Sequence, residues 1–158
     1  MRLLRWCCLP LLITWMGVAL AQGEVTRLAP WTLLDQFDRP YTLEPDLRVL
    51  LVARGMDASG LLAEALAELG GDYLERHSVV FLADISGMPA PIASLFAVPA
   101  MRDYGYRVML DRSGRVASRY PGEKAELLWL DLDNGELRGQ RHFTDAGALR
   151  QALQALGQ

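Results

Sequence analysis

The stretch Arg48–Leu69, RVLLVARGMDASGLLAEALAEL, restricts this chain more than any other. Arg48–Ala53 is a run of Val and Leu without polar alternation, the pattern of a strand buried on both faces. It passes through Gly55 into a segment whose Leu61, Leu62, Ala65, Leu66 and Leu69 share one helical face, with Glu64 and Glu68 on the other. A doubly covered strand followed at once by a helix belongs to a layered α/β architecture. Asp57 or Ser59 is the expected N-cap of that helix, and Gly70-Gly71 its expected end.

The same alternation continues. Asp72–His77 reads as a short helical turn, and Val79–Ala83 as a second buried strand. Pro89 and Pro91 lead into a helix over Ile92–Ala97, which Val98-Pro99 is expected to stop. Tyr106–Leu110 is a third strand and Leu127–Leu132 a fourth. Asp133-Asn134-Gly135 then signals a hairpin into Glu136–Phe143. Thr144 is the expected cap of a last helix with Leu149, Leu153 and Leu156 on one face. Upstream, Trp31–Leu34 and Tyr41–Leu43 flank the turn Asp35-Gln36-Phe37-Asp38-Arg39-Pro40, after a loose lead-in over Gln22–Pro30. The alternation predicts a partly parallel sheet covered on both faces, with an antiparallel hairpin edge. No repeat or linker divides residues 22–158, which read as a single domain.

The first 21 residues read as a secretory signal. Arg2 and Arg5 form a basic start, Cys7–Ala21 is uncharged and mostly apolar, and Ala19-Leu20-Ala21 is a small-x-small cleavage site before Gln22. The apolar run is shorter than the roughly 17–25 residues that a membrane-spanning helix needs. Cleavage predicts a periplasmic or secreted protein without membrane attachment. It also removes Cys7 and Cys8, the only cysteines in the sequence. The remaining chain then has 14 basic residues, the 16 of the whole less Arg2 and Arg5, against 19 acidic ones, a formal charge of −5. That balance argues against nucleic acid and against anionic membrane surfaces.

Four segments together resemble the thioredoxin-like and peroxiredoxin-like proteins: WTLLDQFDRPYTLE, RVLLVARGMDASGLLAEAL, VMLDRSGRVASRY and LLWLDLDNGELRGQRHFTDAGALRQAL. Within that family the similarity is to small exported members without cysteine, the YtfJ type. The resemblance implies a three-layer α/β/α sandwich with a mixed central sheet and a C-terminal β-hairpin plus helix. It implies that a redox pair would fall at Ala58 and Leu61, in Ala58-Ser59-Gly60-Leu61, with Glu64 where a helix glutamate often follows. Neither residue can form the thiolate that thiol–disulfide exchange requires, and peroxiredoxin chemistry needs a cysteine at the same helix start. The family's cis-proline before the hairpin strand is missing too. Glu123-Lys124-Ala125-Glu126-Leu127 occupies that place, and Pro121 lies several residues too early.

Other chemistry finds little support. His77 and Asp84 fall at opposite ends of one strand, too far apart to join Ser86 in a triad. His142 reads as a solvated residue of an edge strand. Asp131–Gly135 lacks the length and closing glutamate of a calcium loop, so no metal is expected. No G-x-G-x-x-G follows a strand, and no cofactor is expected. The amides of Gly55–Gly60 open a helix and could hold an anion, a property of any such helix. Trp31, Trp129 and Tyr120 read as core.

The expected function is therefore that of an exported, redox-inactive domain with no catalytic residue, which binds a protein or small molecule. Its expected binding edge comprises Gly55, Met56, Asp57 and Ser59 with the aromatic pair Tyr104 and Tyr106. Two alternatives are an oxidoreductase acting through a bound flavin and a structural partner in an envelope complex.

Overall fold

The structure, a computed structural model, describes residues 26–158. The signal segment and its cleavage between Ala21 and Gln22 lie outside the described residues. Seven strands form one open sheet. They are β1 (Thr32–Asp35), β2 (Pro40–Thr42), β3 (Val49–Ala53), β4 (Val79–Asp84), β5 (Val108–Asp111), β6 (Leu127–Asp133) and β7 (Glu136–Phe143). Their order is β2-β1-β5-β4-β3-β6-β7. β3, β4 and β5 are parallel, with Val49 beside Val79 and Phe81 beside Val108. β1 and β6 run antiparallel to their inner neighbours and carry the antiparallel edges β2 and β7.

The path explains the layers. From β3 the chain passes through α1 (Met56–Leu66) and α2 (Tyr73–Arg76) to β4. It then runs through α3 (Ala90–Ile92), a π-helical turn (Ala93–Ala97) and α4 (Val98–Met101) to β5. Both crossovers step the same way, so a right-handed path keeps these helices on one face. Ala58, Leu62, Leu74, Ala93 and Met101 meet Leu51, Phe81 and Trp129 there, together with Leu149 and Leu153 of α5 (Ala146–Leu156). The return from β5 to β6 crosses the opposite face. That layer is one 3₁₀ turn (Ala117–Arg119) with Trp31, Leu47 and Tyr120, packed on Leu50, Leu82 and Leu130. The Trp31 indole donates to the Tyr120 hydroxyl at 2.9 Å, so both rings are buried with their polar ends paired.

Several boundaries differ from the sequence expectation. α1 starts at Met56 with Gly55 as N-cap, not at Asp57 or Ser59. Ser59 instead turns its hydroxyl back onto the Gly55 carbonyl at 3.1 Å, a bond made from inside the helix. The same helix ends at Leu66, before Leu69, and Gly70 takes a φ of +89° in the turn that follows. Pro99 does not stop its helix. The Val98 amide reaches back to the Ala93 carbonyl in the wider π turn, and this gives room to a ring that would otherwise strike the carbonyl four residues earlier. Asp145, not Thr144, caps α5 by accepting the Ala148 amide at 2.7 Å. The lead-in is tied down: the Leu28 amide donates to Gly135 and the Leu137 amide to Thr26. The hairpin turn itself has Asn134 and Gly135 at φ 51° and 77°, the primed form that the Asn-Gly pair favours.

Candidate functional site

In an open α/β sheet, the crevice at the carboxyl ends of the strands where their order reverses is the usual ligand site. Here it lies where β3 ends between β4 and β6. Gly55 is pressed against the connection into β6: a Cβ there would stand 2.7 Å from the Lys124 carbonyl oxygen. Lack of space demands glycine, since its φ of −156° suits any residue. Ala58 is wholly buried, Leu61 is half-buried against the same core, and Met56 is 75% exposed. The Arg54 guanidinium donates to the carbonyls of Ala117 and Tyr120, closing the 3₁₀ turn, and its Nε is buried without a partner. All described peptide bonds are trans. Ala58 and Leu61 bring only a methyl and an isobutyl group to this helix start.

Tyr104 and Tyr106 are elsewhere. They precede β5, so they lie at the amino ends of the parallel strands, while Gly55, Met56, Asp57 and Ser59 follow β3 at the carboxyl ends. Five or six residues at ~3.3 Å each separate the two groups. The expected single binding edge is therefore two separate places. The third strand begins at Val108, not at Tyr106, and the Tyr106 ring turns inward against Phe81 with centroids 6.2 Å apart.

Tyr104 and Tyr106 line a cleft of ≈530 Å³, within the usual range for small-molecule sites. Their rings are 5.3 Å apart, and Phe37 and Tyr41 bring the lining aromatics to four. Tyr106 is half-buried and its hydroxyl is enclosed with no hydrogen-bond partner. Burial, with a smaller contribution from Tyr104, pushes that hydroxyl far above the ordinary tyrosine value, so it stays protonated. Burial likewise raises Tyr41.

Asp35 and Gln36 hold this end together; both are fully buried. Asp35 accepts the amides of Phe37 and Arg39 at 2.8 and 2.9 Å on one oxygen. Its other oxygen accepts the Nε groups of Arg39 and Arg107 at 3.2 and 2.9 Å. Burial alone would raise this carboxyl, but those donors outweigh it and hold it below the usual 3.8. Gln36 donates to the carbonyls of Tyr106 and Met101 and accepts the Val108 amide at 2.9 Å. These residues register in the sequence only as a polar turn. An aspartate opening it with an arginine four residues on is the one local signal, and Arg107 is joined to it by the fold alone.

The rim depends on one close crossing. A Cβ on Gly71 would stand 2.6–2.8 Å from Gly105 backbone atoms, and one on Gly105 would stand 2.7 Å from the Gly71 Cα. Backbone cannot swing aside as a side chain can. Gly105→Ala is expected to lower stability by about 1–3 kcal/mol through overpacking. Chemical denaturation of the two proteins checks this, and an unchanged midpoint would show that the crossing is slack.

The remaining candidates do not assemble. His77 packs on Tyr73 at the start of β4, with ring centroids 4.3 Å apart. Asp84 accepts the Ser86 hydroxyl at 2.6 Å at the strand's other end. His142 is exposed on β7 and pairs with Glu126 at 3.1 Å. No cluster of three metal-ligating side chains occurs among the described residues. No described helix is long and apolar enough to cross a membrane.

The mixed sheet, with its strand–helix crossovers and closing hairpin and helix, defines a thioredoxin-like fold. Solved structures agree. A peroxidoxin, BcpB, from Mycobacterium tuberculosis is similar with a TM-score of 0.55 at 14% identity, over 84% of this chain and 95% of that one. A hypothetical protein from Sinorhizobium meliloti 1021 gives 0.56 at 24% identity, over 84% and 82%. A thio-disulfide isomerase from Thermus thermophilus gives 0.52 at 18% identity, over 84% and 96%. No family model and no curated protein matches the chain.

Proposed function

We propose that the protein is an exported, redox-inactive thioredoxin-like domain that works by binding, a cysteine-free member of that family. The observation that carries this reading is Ala58, packed into the core at the helix start where the resemblance puts the reactive thiol, in a region that holds no cysteine. Without a thiolate there is no nucleophile for disulfide or peroxide. The aromatic cleft at the far end of the sheet supports a binding role for a small molecule.

Purified protein is expected to reduce neither insulin disulfides nor hydrogen peroxide above the uncatalysed rate. Clear turnover of either sinks the reading. Export is tested separately by mass spectrometry of the protein recovered outside the cytoplasm, where the N-terminus is expected at Gln22.

A role as a structural partner in an envelope complex is favoured by Leu95 and Phe96, which are 67% and 65% exposed on the π-helical turn. Large apolar side chains side by side in solvent suit a protein contact. A photo-crosslinking residue at position 96 is expected to give a discrete adduct in cells that the same residue at position 64 does not. Identical patterns from both positions would remove this reading.

A further inference from the structure

The cleft lined by Tyr104 and Tyr106 carries both signs of charge, with two arginines sharing the single carboxylate of Asp35. Arg39 and Arg107 each spend only Nε, and both spend it on the Asp35 oxygen. Neither makes another side-chain hydrogen bond or ion pair among the described residues, so the four remaining N–H donors of each guanidinium stay free. The buried carboxylate fixes them in place before any ligand arrives, which lowers the ordering cost of binding. Each guanidinium also lies near a lining ring: Arg39 is 4.8 Å from the Phe37 centroid and Arg107 is 5.9 Å from that of Tyr41. Such paired planar donors match a carboxylate.

Glu44, Asp46 and Glu75 line the same cleft, and no ion pair joins them to either arginine. A bare anion would be repelled by three carboxylates, and a bare cation by two guanidiniums of which Asp35 offsets only one charge. A molecule with both charges answers both sets. Four aromatic rings line the same cleft and offer apolar surface to the body of such a molecule.

We propose that this cleft binds a small zwitterion with an aromatic or apolar body, an amino acid or short peptide. Its carboxylate sits on Arg39 and Arg107, and its ammonium faces Glu44, Asp46 and Glu75. The proposal rests on the reading of the protein as a binding domain, but it places the site at the end of the sheet away from Ala58 and names the ligand class.

The test is a titration of ¹⁵N-labelled purified protein with phenylalanyl-phenylalanine, its C-terminal amide and its N-acetyl form. The free dipeptide is expected to shift the amides of Phe37, Gly105 and Arg107 saturably. Each blocked form should bind at least about tenfold more weakly, the scale of one charge-assisted hydrogen bond. Arg39→Gln, at a largely exposed side chain, should weaken the free dipeptide and leave the amide unchanged, and Glu75→Gln should weaken the free dipeptide and leave the N-acetyl form unchanged. No saturable shift, equal binding of all three compounds, or shifts confined to Gly55–Ser59 would overturn the assignment. A protein that turns over neither insulin nor peroxide and also fails this titration keeps its reading as a non-redox domain and loses this ligand site.

Discussion

Replacing Asp35 by alanine is expected to lower stability by about 2–5 kcal/mol and to shift the thermal midpoint by on the order of 10 °C. The carboxylate is wholly buried, and four donors converge on it. The Phe37 and Arg39 amides would lose their acceptor in a part-buried turn, at up to about 1–3 kcal/mol each. The guanidiniums can turn to water, because Arg39 is 60% exposed and Arg107 36%, so their loss adds little. Asp35→Asn should cost less, since its carbonyl oxygen still accepts an amide. The sign of the pH dependence follows from the depressed carboxyl. Its contribution is present in full above the unfolded-state value near 3.8 and disappears as pH falls through the lower folded-state value. The stability gap between the native protein and Asp35→Ala should therefore be flat from about pH 8 to about 5 and close in stronger acid. A gap that closes near neutrality would point to another titrating group. Denaturant midpoints measured across that pH range decide between them.

How much of this was legible in advance divides along a physical line. β3 and β4 were recognisable from the apolar runs within Arg48–Ala53 and Val79–Ala83, because a strand buried on both faces must be largely apolar. The hairpin was recognisable because Asn134 and Gly135 tolerate the positive φ that a two-residue turn needs. Helix ends were less legible, since they depend on contacts that local sequence does not carry. Gly55 opens α1 because the Lys124 backbone crosses it, and Pro99 is accepted because a π turn precedes it. The candidate site was least legible. Tyr104 and Tyr106 could be singled out as aromatics near a loop, yet grouping them with Gly55–Ser59 required knowing which end of the sheet each reached. Crossover direction settles that, and a sequence does not display it residue by residue. Asp35 and Arg107 meet across a separation of 72 positions, and such a link leaves no periodic trace in the chain.

Gln36→Leu should have the second large effect, about 2–5 kcal/mol, although leucine fills a similar space. The amide side chain is fully buried and satisfies two backbone groups of the segment that carries the cleft: the Tyr106 carbonyl at 2.8 Å and the Val108 amide at 2.9 Å. Leucine removes the partner of both, the Val108 amide in a buried place and the Tyr106 carbonyl in a part-buried one. The Met101 carbonyl is spared because the Tyr104 amide also donates to it at 3.2 Å. Exchange of the Val108 amide with solvent deuterium should accelerate more than that of Phe81 on the neighbouring strand, because β5 is released at its start before the sheet centre opens. Gln36→Glu separates charge from shape. An ionised carboxylate there can still accept from Val108 but faces the Tyr106 carbonyl with no proton to give. The variant should therefore be destabilised at about pH 7 and recover in acid as the carboxyl regains a donor. Recovery on acidification of the Gln36→Glu protein but not of the Gln36→Leu protein would show that the donor function toward Tyr106 holds this end of the sheet closed. Equal loss in both variants at every pH would show instead that side-chain volume is what matters there.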